Sequence, residues 1–134
     1  MIFADTGYFI ALLRERDDLH GRALRWADAI QEPILTSDYV LVEVANNASA
    51  PIIRRRLHVF LENVRGGAVI EVAPASTVWM EAGIALHKAR PDEEWSLTDC
   101  ISFVLMQERG VTRALAFDHH FEQAGFEALL RREQ

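Results

Sequence analysis

M-I-F-A-D-T-G-Y-F-I-A-L-L, residues 1–13, sets the pattern by which the rest of the chain is read. Residues 1–5 read as a short buried strand and residues 6–13 as a helix, with Asp5 at the joint. The same strand-then-helix alternation continues outward. Residues 19–31 carry Ala23, Trp26, Ala27 and Ile30 on one helical stripe, with Asp18 as the expected N-cap. P-I-L-T at 33–36 reads as a strand, and Thr36 or Ser37 caps a helix over 37–48. Pro51 opens the next helix, whose apolar face is Ile53, Leu57, Phe60, Leu61 and Val64, and Gly66 and Gly67 end it. A-V-I-E-V-A at 68–73 is a strand, and residues 75–90 are helical. P-D-E-E at 91–94 is a polar loop. Residues 97–108 are apolar nearly all round, which predicts a buried helix. A strand over 112–117, a short helix over 119–124 and a last short strand near 126–130 complete the chain. Strands alternating with helices imply βαβ units and a mostly parallel sheet with helices on both faces.

Length and composition agree with one globular unit. The chain has 134 residues, half of them apolar and a quarter charged, against ~100–150 residues for a typical domain. There is no internal repeat or linker. No apolar run approaches the ~20 residues that span a bilayer. The N-terminus lacks a basic region and meets Asp5 almost at once, unlike a signal peptide. Cys100 is the one cysteine, so neither an internal disulfide nor a thiolate metal site is expected. A cytoplasmic location is the default expectation.

In parallel α/β sheets, ligands sit beyond the carboxyl ends of the strands. Four acids deserve weight on that ground. Asp5 ends the first strand, Asp118 ends the strand that begins near Thr112, Asp99 lies in the first turn of the buried helix, and Glu43 lies mid-helix in an apolar stretch. Each has a plain alternative. Asp5, Asp99 and Asp118 could be helix caps, and Ser96 with Asp99 resembles a capping box. Glu43 could face solvent. Their conjunction in one cleft would repel strongly without cations among them. Oxygen-only ligands suit Mg²⁺ or Mn²⁺, and the chemistry such a site performs best is phosphodiester hydrolysis.

D-T-G-Y-F-I-A-L-L at 5–13, the glutamate of V-L-V-E-V at 40–44, S-L-T-D-C-I-S-F at 96–103 and A-L-A-F-D-H-H-F at 114–121 resemble, in order, the four motifs of the PIN domain. D-D-L-H-G-R-A at 17–23 is similar to a recurrent segment between the first two. The resemblance implies a single domain over 1–134 with a three-layer α/β/α fold around a four- to five-stranded, mostly parallel sheet. It implies a metal-dependent ribonuclease, similar to VapC toxins, with a cognate antitoxin peptide and a homodimeric state. It carries Asp5, Glu43, Asp99 and Asp118 over as catalytic and metal-binding acids. Thr6, Ser96 and Thr98 are candidates to orient them. Many members carry Ser where Gly7 stands, and Thr or Ser where Ala116 stands.

The net charge of −6 comes from 14 bases and 20 acids and argues at face value against a nucleic-acid binder. Setting the four site acids aside leaves 16 acids against 14 bases, or −2, and one or two divalent cations bring the metal-bound total to −4 or −2. RNA could then be held by Arg54, Arg55, Arg56 and Arg65, or by Arg14, Arg16, Arg22 and Arg25, against the plain reading of solvated helix faces. Arginines of an antitoxin could neutralise the carboxylates. His119 and His120 read first as surface residues at a helix start, with a metal or general-base role as the alternative. His20 reads as packing or capping, Cys100 as core, and Trp95 as local packing or a base-stacking residue. Two rivals remain in view. One is a PIN-like module with weak or no hydrolysis that binds RNA or a protein. The other is a receiver or aspartyl phosphatase, which the lone Asp5 and Gly7 at the place of a second aspartate disfavour.

Overall fold

Five strands form one all-parallel sheet in the order β3-β2-β1-β4-β5. The computed structural model describes residues 1–133. In chain order the elements are β1 (Ile2–Ala4), α1 (Thr6–Leu13), α2 (His20–Ala29), β2 (Ile34–Ser37), α3 (Asp38–Asn47), α4 (Pro51–Gly66), β3 (Ile70–Ala73), α5 (Thr77–Ala89), α6 (Leu97–Glu108), β4 (Arg113–Leu115), α7 (His119–Gln123) and β5 (Glu127–Ala128). A 3₁₀ turn, Leu129–Arg131, follows. This is the expected three-layer α/β/α architecture. No helix among the described residues is long and apolar enough to cross a membrane.

The central strands are buried on both faces, as parallel sheets require. Phe3, Ala4, Leu35, Ala114 and Leu115 are fully buried. Helix α6 buries Cys100, Ile101, Ser102, Phe103, Leu105 and Met106, which explains the apolar run through its middle. It packs closely on α5 because Gly83 has no Cβ; one added there would collide with Ile101. Gly110, at φ 66°, turns the chain from α6 toward β4.

Several local expectations are corrected. Asp18 does not cap α2. The N-cap position is Leu19, without a side-chain bond, and it is Asp17 whose Oδ1 accepts the Leu19 N–H at 2.9 Å. A turn bridged by an Asx side chain competes with a true N-cap, and here it wins one residue earlier. Strand β3 starts at Ile70 rather than 68. Strand β4 ends at Leu115, so Ala116 and Phe117 link it to Asp118, the N-cap of α7. Strand β5 is two residues long, because the chain turns into the 3₁₀ segment.

An aromatic cluster anchors the short helix α7. Phe121 is fully buried. Its ring stands edge-on to Phe103 at 4.9 Å between centroids and tilted against Phe3 at 6.4 Å. Trp95 packs edge-on to Phe103 at 5.1 Å, and its Nε1 donates to Gln123 Oε1 at 3.2 Å. Five helical residues alone would not hold a helix, so this cluster fixes where Asp118 and His120 stand. Phe121→Leu should lower stability by about 1–3 kcal/mol, from two lost aromatic pairs and poorer filling. Urea denaturation followed by circular dichroism checks this, with a lower midpoint and an unchanged slope expected.

Candidate active site

The carboxyl edge of β1 is where the site begins. The backbone N–H of Asp5 donates to Leu115 O at 3.2 Å, extending the β1–β4 ladder by one step. Thr36 Oγ1 donates to Ala4 O at 2.9 Å, tying the end of β2 to the end of β1. Asp5 occupies the N-cap position of α1 but makes no side-chain capping bond. It is 8% exposed. The one backbone partner of its carboxyl is Thr6, the first residue of the helix.

Asp99 and Asp118 cap and face the cleft together. Ser96 Oγ accepts the Asp99 N–H at 3.0 Å, while Asp99 Oδ2 accepts the Ser96 N–H at 3.1 Å, a complete capping box. Asp118 Oδ1 accepts the His120 N–H at 3.0 Å. Glu43 is half-buried on α3, the helix that Ser37 caps by accepting the Val40 N–H. All four acids line one cleft of about 740 Å³, with Thr6, Gly7, Ser96, His119 and His120. A second, more apolar groove of similar volume between α3 and α4 carries none of the four.

Burial dominates the electrostatics. Loss of water around Asp5 raises its pKa from 3.8 to about 8; the Thr6 backbone bond opposes this, and Asp99, Glu43 and Asp118 push further upward. Asp99 is also raised, first by burial, against its bonds to Ser96 and His120. Removing water costs a lone carboxylate dearly, and neighbouring negative charges add to the cost.

His120 is the residue that sequence reasoning undervalued. Its side chain is 16% exposed, with Nδ1 3.1 Å from Asp99 Oδ2 and 3.2 Å from Asp118 Oδ1. It bridges two acids that come from different helices. The sequence signal was present in D-H-H-F, where burial of Phe121 dictates the direction of its neighbour. His119, at 59% exposure, stays near the surface, with Nδ1 3.5 Å from Asp118 Oδ1. Asp118, His119 and His120 offer ligand atoms within 4.8 Å of one another.

Other expectations land elsewhere. Thr98 does not line the cleft, nor do Arg54, Arg55 or Arg65. Arg54 donates to Ser49 O, Arg65 lies 3.9 Å from Asp38 Oδ1, and Arg55 lines a groove on α4. His20 Nδ1 sits 2.6 Å from Ala11 O, joining α2 to α1. Trp95 and Cys100 are core residues. The cleft also takes in Asp17, Glu94, Phe117 and Arg131. Asp17, Glu94 and Phe117 fall inside quoted segments without having been singled out, and Arg131 lies beyond the last predicted strand.

The donor set fits a hard divalent cation. It is mostly carboxylate oxygen with imidazole at one edge. Thr6 Oγ1 is buried beside Asp5 with no hydrogen-bond partner, an unsatisfied oxygen at the same cleft.

Comparison with known proteins agrees with this geometry. The PIN domain family model matches residues 2–127. The chain is 30% identical over 126 residues to the 23S rRNA-specific endonuclease VapC20 of Mycobacterium tuberculosis, covering 94% of this chain and 95% of that protein. The crystal structure of that VapC20, described as a sarcin-ricin loop cleaving toxin, superposes with a TM-score of 0.86 at 28% identity, over 94% of this chain and 96% of that one. The structure of FitAcB from Neisseria gonorrhoeae shares the fold, with a TM-score of 0.65 at 18% identity over 96% and 95% of the two chains. The four-acid cleft at the carboxyl edge of a parallel α/β/α sheet thus stands in a chain that belongs to the PIN domain family.

Proposed function

We propose that the chain is a divalent-metal-dependent endoribonuclease acting as the toxin of a toxin–antitoxin pair. The observation that carries this reading is the buried Asp5 carboxyl in one cleft with Glu43, Asp99 and Asp118. The names of its relatives point the same way. In this reading Asp5, Asp99 and Asp118 would hold Mg²⁺ or Mn²⁺, and Glu43 would hold the ion too or position the attacking water. Thr6 and Ser96 orient the carboxylates from alongside. When bound, the ion supplies polarisation of the phosphoryl oxygen and shielding of the leaving oxygen. The water attacks phosphorus in line with the leaving oxygen, and no covalent enzyme intermediate forms. Asp99, kept in its capping box, and Asp118, kept at α7, present their carboxylates without reorganisation. Arg54, Arg55 and Arg65 serve the flanks of the RNA rather than the scissile phosphate. A cognate antitoxin peptide would neutralise the same carboxylates with arginine, and the toxin works as a homodimer in the cytoplasm. The alternative, a weakly active binding module, rests on Ala116, which is fully buried and brings only a methyl group.

Purified protein should cut RNA with Mg²⁺ or Mn²⁺ and not with chelator present, and Asp5→Asn or Asp99→Asn should each lower the rate by at least ~100-fold. Gel analysis of a mixed set of structured RNAs checks this. Metal binding without cutting would favour the module, and no metal binding at all would end the enzyme reading.

His120 acts as a positioning residue that holds Asp99 and Asp118 together. His120→Ala should weaken metal binding by ~10–100-fold, whereas His120→Asn, which keeps a donor near the Nδ1 position, should recover most of it. Calorimetric titration of metal into chelator-stripped protein separates the two.

Asp5 also sets a pH dependence. Its folded pKa of about 8 lies above the ordinary carboxylate value of 3.8, so its contribution to stability is complete below the lower value and lost as pH rises through the higher one. Metal must displace the Asp5 proton, so apparent affinity should climb with pH up to about 8. Without metal, Asp5→Asn should raise the melting temperature at pH 8 by about 3–8 °C. The gain should shrink toward pH 4. Thermal melts across that range read the difference.

A further inference from the structure

Phe117 sits at the mouth of the acidic cleft and is 44% exposed, although Leu115 and Ala116 just before it are fully buried. A single exposed aromatic ring is unremarkable by itself. This one is adjacent to Asp118 and carries a cation. The Arg131 guanidinium lies 5.3 Å from the Phe117 ring centroid. Two bonds hold it there: Nη1 donates to Phe117 O at 3.0 Å, and Nε pairs with Glu122 Oε1 at 2.9 Å. Its side chain remains 39% exposed. Arg131 is the one lysine or arginine that lines this cleft among the described residues, against Asp5, Asp17, Glu43, Glu94, Asp99 and Asp118.

We propose that Phe117 and Arg131 form a subsite that stacks one unpaired nucleobase and pairs a neighbouring RNA phosphate, immediately beside the acidic centre. The inference rests on the nuclease reading and deepens it. An RNA chain entering a cleft lined by six carboxylates needs a fixed cation to meet its phosphate, and Arg131 supplies one whose orientation is held in advance. A base stacks on an aromatic ring only when it has left its own helix. A continuous duplex presents no free base face to Phe117. The subsite therefore selects loops and single strands over paired RNA, whatever the sequence read elsewhere. Phe117 is the sequence neighbour of Asp118, so a base held on its ring lies next to the phosphodiester presented to the acids.

The test uses full-length protein carrying Asp99→Asn, so that RNA is bound and not cut. The probe is a short mixed-sequence single-stranded RNA in which 2-aminopurine replaces one base, compared with the same strand annealed to its complement, in Mg²⁺. Stacking on Phe117 quenches 2-aminopurine fluorescence in the single strand and not in the duplex. Phe117→Ala should abolish that quench and weaken single-strand binding by about 5- to 150-fold. Phe117→Tyr should restore both. Arg131→Gln should weaken binding and flatten the dependence of log K on log salt by about 0.7, the share of one phosphate on a single strand. Metal titration of Phe117→Ala should match that of the parent, which separates a lost subsite from a damaged fold. Unchanged binding and quenching in Phe117→Ala, or equal affinity for duplex and single strand, overturns the subsite and leaves the nuclease reading standing. A change of oligomeric state in Phe117→Ala, read by sedimentation, would make the ring an interface residue and overturn it too. An unsubstituted protein that neither binds nor cuts any RNA removes both readings.

Discussion

Burying the Asp5 carboxyl at the end of the central strand is the constraint on which the rest of the site turns. Strand β1 lies between β2 and β4, with its residues buried on both faces. Whatever follows Ala4 emerges from the middle of the sheet at the floor of the cleft, with little contact with water. An ionised carboxylate there loses its hydration, and three more acids stand close enough to raise its pKa further. Such an arrangement lowers the stability of the empty fold at neutral pH. It is tolerated because the surrounding core is large and continuous. Under the proposed reading the same cost would become affinity when a divalent cation replaced the missing water and offset the repulsion.

The remaining acids are held by ordinary helix chemistry. A capping box orients Asp99, and a backbone bond to His120 orients Asp118. Each of these bonds would form in a protein with no active site. Capping and function are therefore not rivals at these positions. The helix N-terminus fixes a carboxylate cheaply, and the topology decides that two such termini open on one cleft. The aromatic contacts of Phe121 with Phe103 and Phe3 extend this logic to α7, a helix too short to stand alone.

Most of this was legible along the chain. Element order, the buried nature of α6, the Ser37 cap and the Ser96–Asp99 box all follow from local patterns, and these are set by neighbours in sequence. Asp5, Asp118 and Asp99 drew attention by their places at strand ends and a helix start, and Glu43 by the apolar stretch it interrupts. What local pattern could not carry was tertiary placement. His119 and His120 are chemically identical and adjacent. Only the burial of Phe121 and the approach of α6 from 21 residues away bring His120 Nδ1 onto Asp99. Arg131 is one of several charges in a C-terminal run, and it reaches the cleft because the 3₁₀ turn folds that run back over β4. The α4 arginines show the converse. Their clustering looks like a binding face, but the helix presents them away from the acids.

Gly7 and Ala116 show how the same frame can be tuned around constant acids. A Cβ at Gly7 would meet nothing within 4 Å, and Gly7 lines the cleft. A serine there would fit without strain and bring a hydroxyl to the cleft. Ala116 is the opposite case, since it is fully buried between β4 and Asp118. A hydroxyl at that position would have to find a partner inside the core or cost stability. The two positions are therefore not equivalent. Gly7 leaves open space at the cleft, whereas Ala116 brings only a methyl group to a buried position two residues before Asp118, and Asp99 and Asp118 are oriented by their capping bonds and His120.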